Sequence, residues 1–175
     1  MTKQELESCI HEYGTDIYSF CCHLTYSRQE ADDLYQDTFL KAIELNENID
    51  YTDNPKSYLL SIALRIWKNR KRKFTWRKRI ADVRPIIEEA DMQCSIPEES
   101  SLEQQILGKE TQELVRQAVN RLPQRFRVIV LLFYMEELAV AQIAKLLKIP
   151  EGTVKSRLYQ ARKLLKKELE DVLNE

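Results

Sequence analysis

The sequence predicts an all-α protein of two small helical domains joined by a flexible linker, the C-terminal domain being a helix-turn-helix. Only 3 of the 175 residues are glycine and 5 are proline, fewer than the turns of a sheet protein need. Apolar residues recur at intervals of three and four over long stretches, as in amphipathic helices. Residues 95–101, Ser-Ile-Pro-Glu-Glu-Ser-Ser, lack this period, which indicates a linker.

Three helices are predicted in the N-terminal domain, residues 1–90. The first carries an apolar stripe that Gly14 interrupts. The second begins near Ser27, because serine is a good N-cap and Glu30 completes a capping box. The third begins at Pro55, since proline suits the first turn of a helix. The apolar stripe of the first helix comprises Leu6, Ile10, Tyr13, Ile17, Phe20 and Leu24.

After a linker at 91–105, the C-terminal domain, 106–175, is predicted to contain four helices. Pro123 and Pro150 mark the starts of two of them. The periodic segments are 102–121, 124–134, 140–147 and 151–172.

The last two segments have the pattern of a helix-turn-helix. A short apolar-faced helix is followed by a turn at 148–150 and a basic helix. The second helix of this motif enters the major groove, and its N-terminal residues reach base edges. The alternative is a basic hairpin that packs on a partner protein. The predicted duplex-binding residues are Thr153, Lys155, Ser156, Arg157, Tyr159, Gln160 and Arg162.

Charge is arranged in alternating blocks, although the net charge is only −1. Residues 55–84 and 115–167 carry net charges of +10 and +9, whereas residues 1–54 and 85–114 carry −9 and −7. Two separate basic blocks predict two contacts with a polyanion.

The first basic block also contains aromatic residues. Residues 64–79 hold nine bases and no acid, interleaved with Trp67, Phe74 and Trp76. Aromatic side chains among bases can stack on unpaired nucleotides. For Trp67 the alternative is a place in the core, because large aromatic residues are mostly buried.

Acidic residues cluster on the second predicted helix. Asp33, Gln36 and Asp37 share a face by their spacing, and a protein interface with Leu34 exposed among the acids is the favoured interpretation. The alternative is a divalent-metal nuclease site that uses Asp32 together with Asp33 and Asp37.

Other classes of protein lack support in the sequence. It contains neither a phosphate-binding loop nor a dinucleotide-binding glycine motif. No run of about eighteen apolar residues or signal peptide occurs, so we expect a cytoplasmic protein without membrane insertion. The four cysteines form no CxxC pair and are expected to be reduced thiols. We expect the protein to have no metal, no cofactor and no catalytic residue.

Four stretches together resemble a known family. They are 32–42 (DDLYQDTFLKA), 58–63 (YLLSIA), Leu122-Pro123 and 150–162, which begins PEGTVKSRL. Over nearly the whole chain the sequence resembles bacterial RNA polymerase sigma factors of the small, extracytoplasmic-function class.

The resemblance implies a function and an assignment of surfaces. The protein would not be an enzyme but would bind the polymerase core and direct promoter-specific initiation. The second domain would bind the minus thirty-five element as duplex and touch the polymerase flap. An anti-sigma factor is an expected partner, and the alternative function is a stand-alone helix-turn-helix regulator. The resemblance implies that Asp33, Leu34, Gln36 and Asp37 dock on the polymerase clamp helices. It implies that the melted minus-ten element is captured by Arg65, Trp67, Lys68, Asn69 and Arg72.

Four positions depart from the family pattern. Arg65 replaces the asparagine that commonly contacts a flipped base, and Gln160 replaces a basic residue. Lys148 replaces the usual turn glycine, and a left-handed conformation there costs about 1 kcal/mol. Ala139 replaces the usual Ser or Thr cap, a loss of about 1 kcal/mol.

Overall fold

The computed structural model describes the backbone of residues 3–25, 27–45, 54–81 and 102–173, and the side chains of 7–25, 27–45, 54–77 and 111–171. The chain divides into two compact units, Met1–Ser95 and Ile96–Glu175. This division falls inside the predicted linker. Residues 91–101 of that linker lie outside the described part, whereas 102–105 are helical.

The described residues of the first unit form three mutually packed helices, α1 (Lys3–Leu24), α2 (Arg28–Glu44) and α3 (Pro55–Ala81). Helix α1 runs unbroken through Gly14, so the predicted interruption is wrong. A Cβ atom at Gly14 would lie 3.1 Å from the Tyr35 hydroxyl oxygen, and the glycine therefore lets α2 approach α1 closely. The largest fully buried apolar side chains of this unit are Ile17, Phe20, Leu24, Leu34, Leu59 and Leu60.

Side-chain caps fix the starts of α2 and α3. The Ser27 Oγ accepts a hydrogen bond from the Glu30 N–H at 3.2 Å. The Asn54 Oδ1 accepts one from the Ser57 N–H at 2.9 Å, and Pro55 is the first residue of α3. Each cap satisfies a backbone donor that the first helical turn leaves unpaired. Both predicted helix starts are confirmed.

The second unit contains α4 (Leu102–Arg121), α5 (Gln124–Val130), a π-helical segment (Leu131–Met135), α6 (Val140–Leu147) and α7 (Glu151–Leu173). The prediction of one regular helix over 124–134 is therefore wrong beyond Val130. The core of the second unit is mainly apolar, as the spacing predicts, but it also buries the charged side chains of Arg127 and Glu136. Its buried side chains include Phe126, Ile129, Leu132, Ile143, Val154, Leu158 and Ala161.

The turn between α6 and α7 has the expected backbone. Lys148 is left-handed, with φ 56° and ψ 48°, and the Ile149 N–H donates to the Ala144 carbonyl oxygen at 3.1 Å. Ala139 is the N-cap of α6 and has no side-chain oxygen to offer. The Gln142 Oε1 instead accepts a hydrogen bond from the Ala139 N–H at 2.8 Å.

None of the described helices is long and apolar enough to cross a membrane.

Candidate nucleic-acid and polymerase interfaces

Helix α7 separates a buried face from a polar, accessible one. Val154, Leu158 and Ala161 are buried, and Leu165 is half-buried. The predicted duplex-binding residues lie on the remaining surface. Thr153 and Arg157 are half-buried, whereas the exposed members are Lys155, Ser156, Tyr159, Gln160 and Arg162.

One of these residues, Arg162, is held against the π-helical segment. Its Nε donates a hydrogen bond to the Tyr134 hydroxyl oxygen at 2.6 Å. Its guanidinium carbon lies 5.8 Å and 5.7 Å from the ring centroids of Phe133 and Tyr134, within cation–π range. Tyr134 could not be predicted as the partner of Arg162, because no local pattern links residues 28 positions apart.

Helix α3 presents a basic surface, but not with every predicted residue. Arg65, Lys68, Asn69 and Arg72 are exposed. Trp67 is only 3% exposed, so its prediction as a base contact is wrong and the core alternative is right. It lies on the same side of α3 as the core residue Ala63. The exposed aromatic residues of this helix are Phe74 and Trp76.

Helix α2 carries the predicted acidic surface with one correction. Asp33, Gln36 and Asp37 are exposed, whereas Leu34 is fully buried. The prediction that Leu34 is exposed is wrong, because it lies on the core side of α2 with Ala31, Thr38 and Ala42.

An apolar side chain does lie beside the acids, but it is Leu40, which is 58% exposed. Leu40 follows Gln36 by four residues and Asp37 by three, which places all three on one helix face. We call the exposed residues Asp33, Gln36, Asp37 and Leu40 the α2 face. The spacing alone could have identified Leu40.

The α2 face is joined to α3 by an ion pair. An Arg70 guanidinium nitrogen, Nη2, lies 2.5 Å from Asp37 Oδ2 and also donates to the Asp33 carbonyl oxygen at 3.4 Å. Both charged side chains are substantially exposed, so the pair contributes only about 0–1 kcal/mol to stability. Its consequence is geometric, since it sets the Asp37 carboxylate beside the basic helix.

Asp32 does not share this face. It accepts a hydrogen bond from the Tyr18 hydroxyl at 2.7 Å, and this bond is the main reason why the pKa of Tyr18 is raised. Asp32 is therefore turned towards α1. Within the described part of the chain, no group of three or more His, Cys, Asp or Glu residues is placed to hold a metal ion.

The cysteines differ from the expectation at one position. Cys9 and Cys21 are thiols, whereas Cys22 is disulfide-bonded. The prediction that all the cysteines are reduced is therefore wrong for Cys22.

A helix-turn-helix unit and a second helical unit with a basic helix are typical of a bipartite DNA-binding protein. Two family models match this chain: Sigma-70 region 2 over residues 9–77 and Sigma-70, region 4 over residues 112–165. The first match covers most of α1 to α3, and the second extends from α4 into α7.

Similar proteins and structures agree with these matches. The ECF RNA polymerase sigma factor SigW of Bacillus subtilis is 28% identical over 165 residues, covering 91% of this chain and 86% of that protein. The RNA polymerase sigma-H factor of Pseudomonas aeruginosa is 27% identical over 176 residues, covering 99% and 90%. The sigma factor RpoE of Bartonella quintana, solved with the anti-sigma factor NepR, has the same fold, with a TM-score of 0.74, 24% identity and 96% coverage of both chains.

The chain belongs to the sigma-70 family, in its extracytoplasmic-function (ECF) class. It binds RNA polymerase and directs promoter-specific initiation of transcription. The family consists of initiation factors rather than enzymes. The alternative of a stand-alone helix-turn-helix regulator is not favoured, because it leaves the region 2 match unexplained.

Proposed function

We propose that the two units divide the promoter, the first capturing the melted minus-ten element and the second binding the minus thirty-five element as duplex. The observation that carries this proposal is the exposed polar and basic face of the first turns of α7, which lies opposite a fully buried apolar face. A recognition helix of this kind reads base edges in the major groove.

Within the second unit we assign the base-edge contacts to Lys155, Ser156, Tyr159 and Gln160, the exposed predicted residues of the first three turns of α7. Thr153 and Arg157 are half-buried and are assigned contacts to the phosphate backbone. Arg162, held by Tyr134, is likewise assigned to a phosphate, since its guanidinium has N–H donors besides the Nε–H that the Tyr134 hydroxyl accepts. Phosphate contacts fix the register of the helix on the duplex.

Within the first unit we assign capture of the single strand to Arg65, Lys68, Asn69 and Arg72. These exposed side chains follow one side of α3. Cations along one side of a helix track the phosphates of an unpaired strand, and amide groups can bond a base that is out of the stack. Trp67 supports this surface from the core rather than contacting the strand.

We propose that the α2 face docks on the clamp helices of the polymerase, while the second unit touches the flap. An interface needs an apolar centre as well as polar contacts. Leu40 supplies that centre, and Asp33, Gln36 and Asp37 surround it. Leu34 acts only by supporting α2 from the core.

We further propose that an anti-sigma factor holds this protein inactive, as the structure of RpoE with NepR from Bartonella quintana illustrates for a protein of the same fold. The protein would work in the cytoplasm, where promoter DNA and polymerase meet. It would catalyse no reaction of its own and would need no cofactor or metal.

Separate DNA probes for the two elements test the division of the promoter. With polymerase holoenzyme containing the full chain, Lys155→Ala should weaken binding to a minus thirty-five duplex by about tenfold, in line with the loss of one groove contact. It should leave binding to a forked minus-ten probe unchanged, and Asn69→Ala should do the reverse. Lys166→Ala is the control, because that exposed lysine pairs with Glu170 further along α7.

The pattern of losses decides the outcome. If Lys155→Ala weakened both probes equally, or neither, the assignment of the duplex element to α7 would fail. A pull-down of each variant with polymerase core checks that docking is unaffected.

A further inference from the structure

Trp76 is exposed to an extent unusual for tryptophan. Its side chain is 65% exposed, whereas the other tryptophan, Trp67, is 3% exposed in the core of the first unit. Large aromatic side chains are mostly buried in folded proteins, so the surroundings of Trp76 decide whether its exposure has a function.

The position of Trp76 on α3 aligns it with the predicted strand-binding residues. Arg65, Asn69, Arg72 and Trp76 follow one another at intervals of four, three and four residues. At 3.6 residues per turn, these side chains lie within an arc of about 60°. All four are exposed, so Trp76 extends the same face of the helix by one turn.

Phe74 provides an internal comparison. It is also exposed, at 59%, but it lies about 160° around the helix from Trp76. That direction is the one in which Trp67 and Ala63 enter the core. Phe74 is therefore exposed on a side of α3 other than the basic face.

The charge around Trp76 identifies its partner. The described side chains of α3, residues 55–77, include no acid, and Arg72, Lys73 and Arg77 lie within four residues of Trp76. An aromatic platform among cations is the arrangement that binds single-stranded nucleic acid, because each unpaired base offers a flat face. A duplex keeps those faces stacked inside the helix.

We propose that Trp76 stacks on an unpaired base of the opened promoter strand, beyond the bases contacted by Arg65 and Asn69. Trp76 lies eleven positions after Arg65, a rise of about 16.5 Å along the helix. That length corresponds to about five nucleotides at the 3.4 Å spacing of a stacked strand. This inference rests on the proposed function of α3 and adds a second, separate point of base contact to it.

Binding of forked promoter DNA by holoenzyme containing the full chain tests the inference. Trp76→Ala should lower affinity by about fivefold or more, the loss expected for one stacked base. Trp76→Phe should restore most of it, because the ring is what stacks. Phe74→Ala is the matched control and should bind as the unmodified protein does.

An abasic scan of the single-stranded part of the probe then locates the contact. Removing one particular base should weaken the unmodified holoenzyme and have no further effect on Trp76→Ala. That result would support stacking and identify the base.

Several results would overturn the inference. Equal affinity of Trp76→Ala and the unmodified protein for the fork would do so. So would an abasic scan in which removal of a base and the Trp76→Ala substitution weaken binding additively at every position. Weakened binding of Trp76→Ala to polymerase core would assign the residue to a protein interface instead. If the unmodified holoenzyme failed to bind the fork at all, the proposed function of α3 would fail, a result distinct from the failure of Trp76 alone.

Discussion

Two leucines of α2, six residues apart, have opposite environments. Leu34 is fully buried between the helices of the first unit, and Leu40 is 58% exposed on the α2 face. Their chemistry is identical, so only their position on the helix decides whether each contributes to folding or to docking.

Alanine substitutions should separate these two contributions. Leu34→Ala should lower the free energy of unfolding by about 2–5 kcal/mol, because it removes buried methyl groups and leaves a cavity. Leu40→Ala should change it by less than about 0.5 kcal/mol and should instead weaken binding to polymerase core. Urea denaturation and a core pull-down measure the two quantities.

Glu12→Ala on α1 is a suitable control for the pull-down, since this residue is exposed on another helix. Unchanged core binding by Leu40→Ala would place the docking surface elsewhere.

Several residue environments could be predicted from the sequence, and the exceptions have a common cause. The apolar period of the second helix places Leu34 with Ala31, whereas its acidic neighbours in the chain predict exposure, and the structure follows the period, since Leu34, Ala31 and Thr38 are all buried. The same periodicity places Trp67 with Ala63. Exposure follows the face of a helix more closely than it follows the adjacent residues.

At the scale of elements, the turn of the helix-turn-helix contains a strained residue. Lys148 has φ 56° and ψ 48°, a left-handed conformation that glycine adopts at little cost and other residues adopt with strain. The adjacent hydrogen bonds to α6 hold it there.

Glycine at this position should therefore stabilise the protein. Lys148→Gly should raise the free energy of unfolding by about 0.5–1 kcal/mol. Lys145→Gly, an exposed position inside α6, is the matched control and should lower it by about 1 kcal/mol. Urea denaturation of the full chain measures both, and a loss of stability in Lys148→Gly would contradict this account of the turn.

Helix starts could be predicted better than irregular helix geometry. Ser27 and Pro55 act within the first turn of the helix that each begins, so these helix starts can be predicted from a few adjacent residues. The π-helical segment Leu131–Met135 keeps an apolar sequence that α-helical geometry would also accommodate. Its exposed ring, Tyr134, meets Arg162 from α7, and such a contact depends on tertiary packing rather than on local sequence.

At the scale of the whole molecule, the function could be predicted because each proposed binding surface is formed by residues that are close together in the sequence. The first basic block, residues 55–84, largely coincides with α3. The second, residues 115–167, extends from α4 to α7, and its exposed cations include Lys155, Arg162 and Lys163 of α7. The α2 face is likewise a single helix surface. The ion pair of Arg70 with Asp37 was not predictable, because it joins two helices that pack only in the folded unit.

The measurement that tests the central claim most directly is run-off transcription with purified polymerase core on a pool of promoter fragments, with and without this protein. We predict discrete transcripts only when the protein is present, and weaker transcripts from the same start sites with Lys155→Ala at equal core binding. Core binding without any dependence of transcription on the α7 residues would contradict the assigned division of the promoter. If the protein neither bound core nor produced transcripts, its role as an initiation factor would be contradicted.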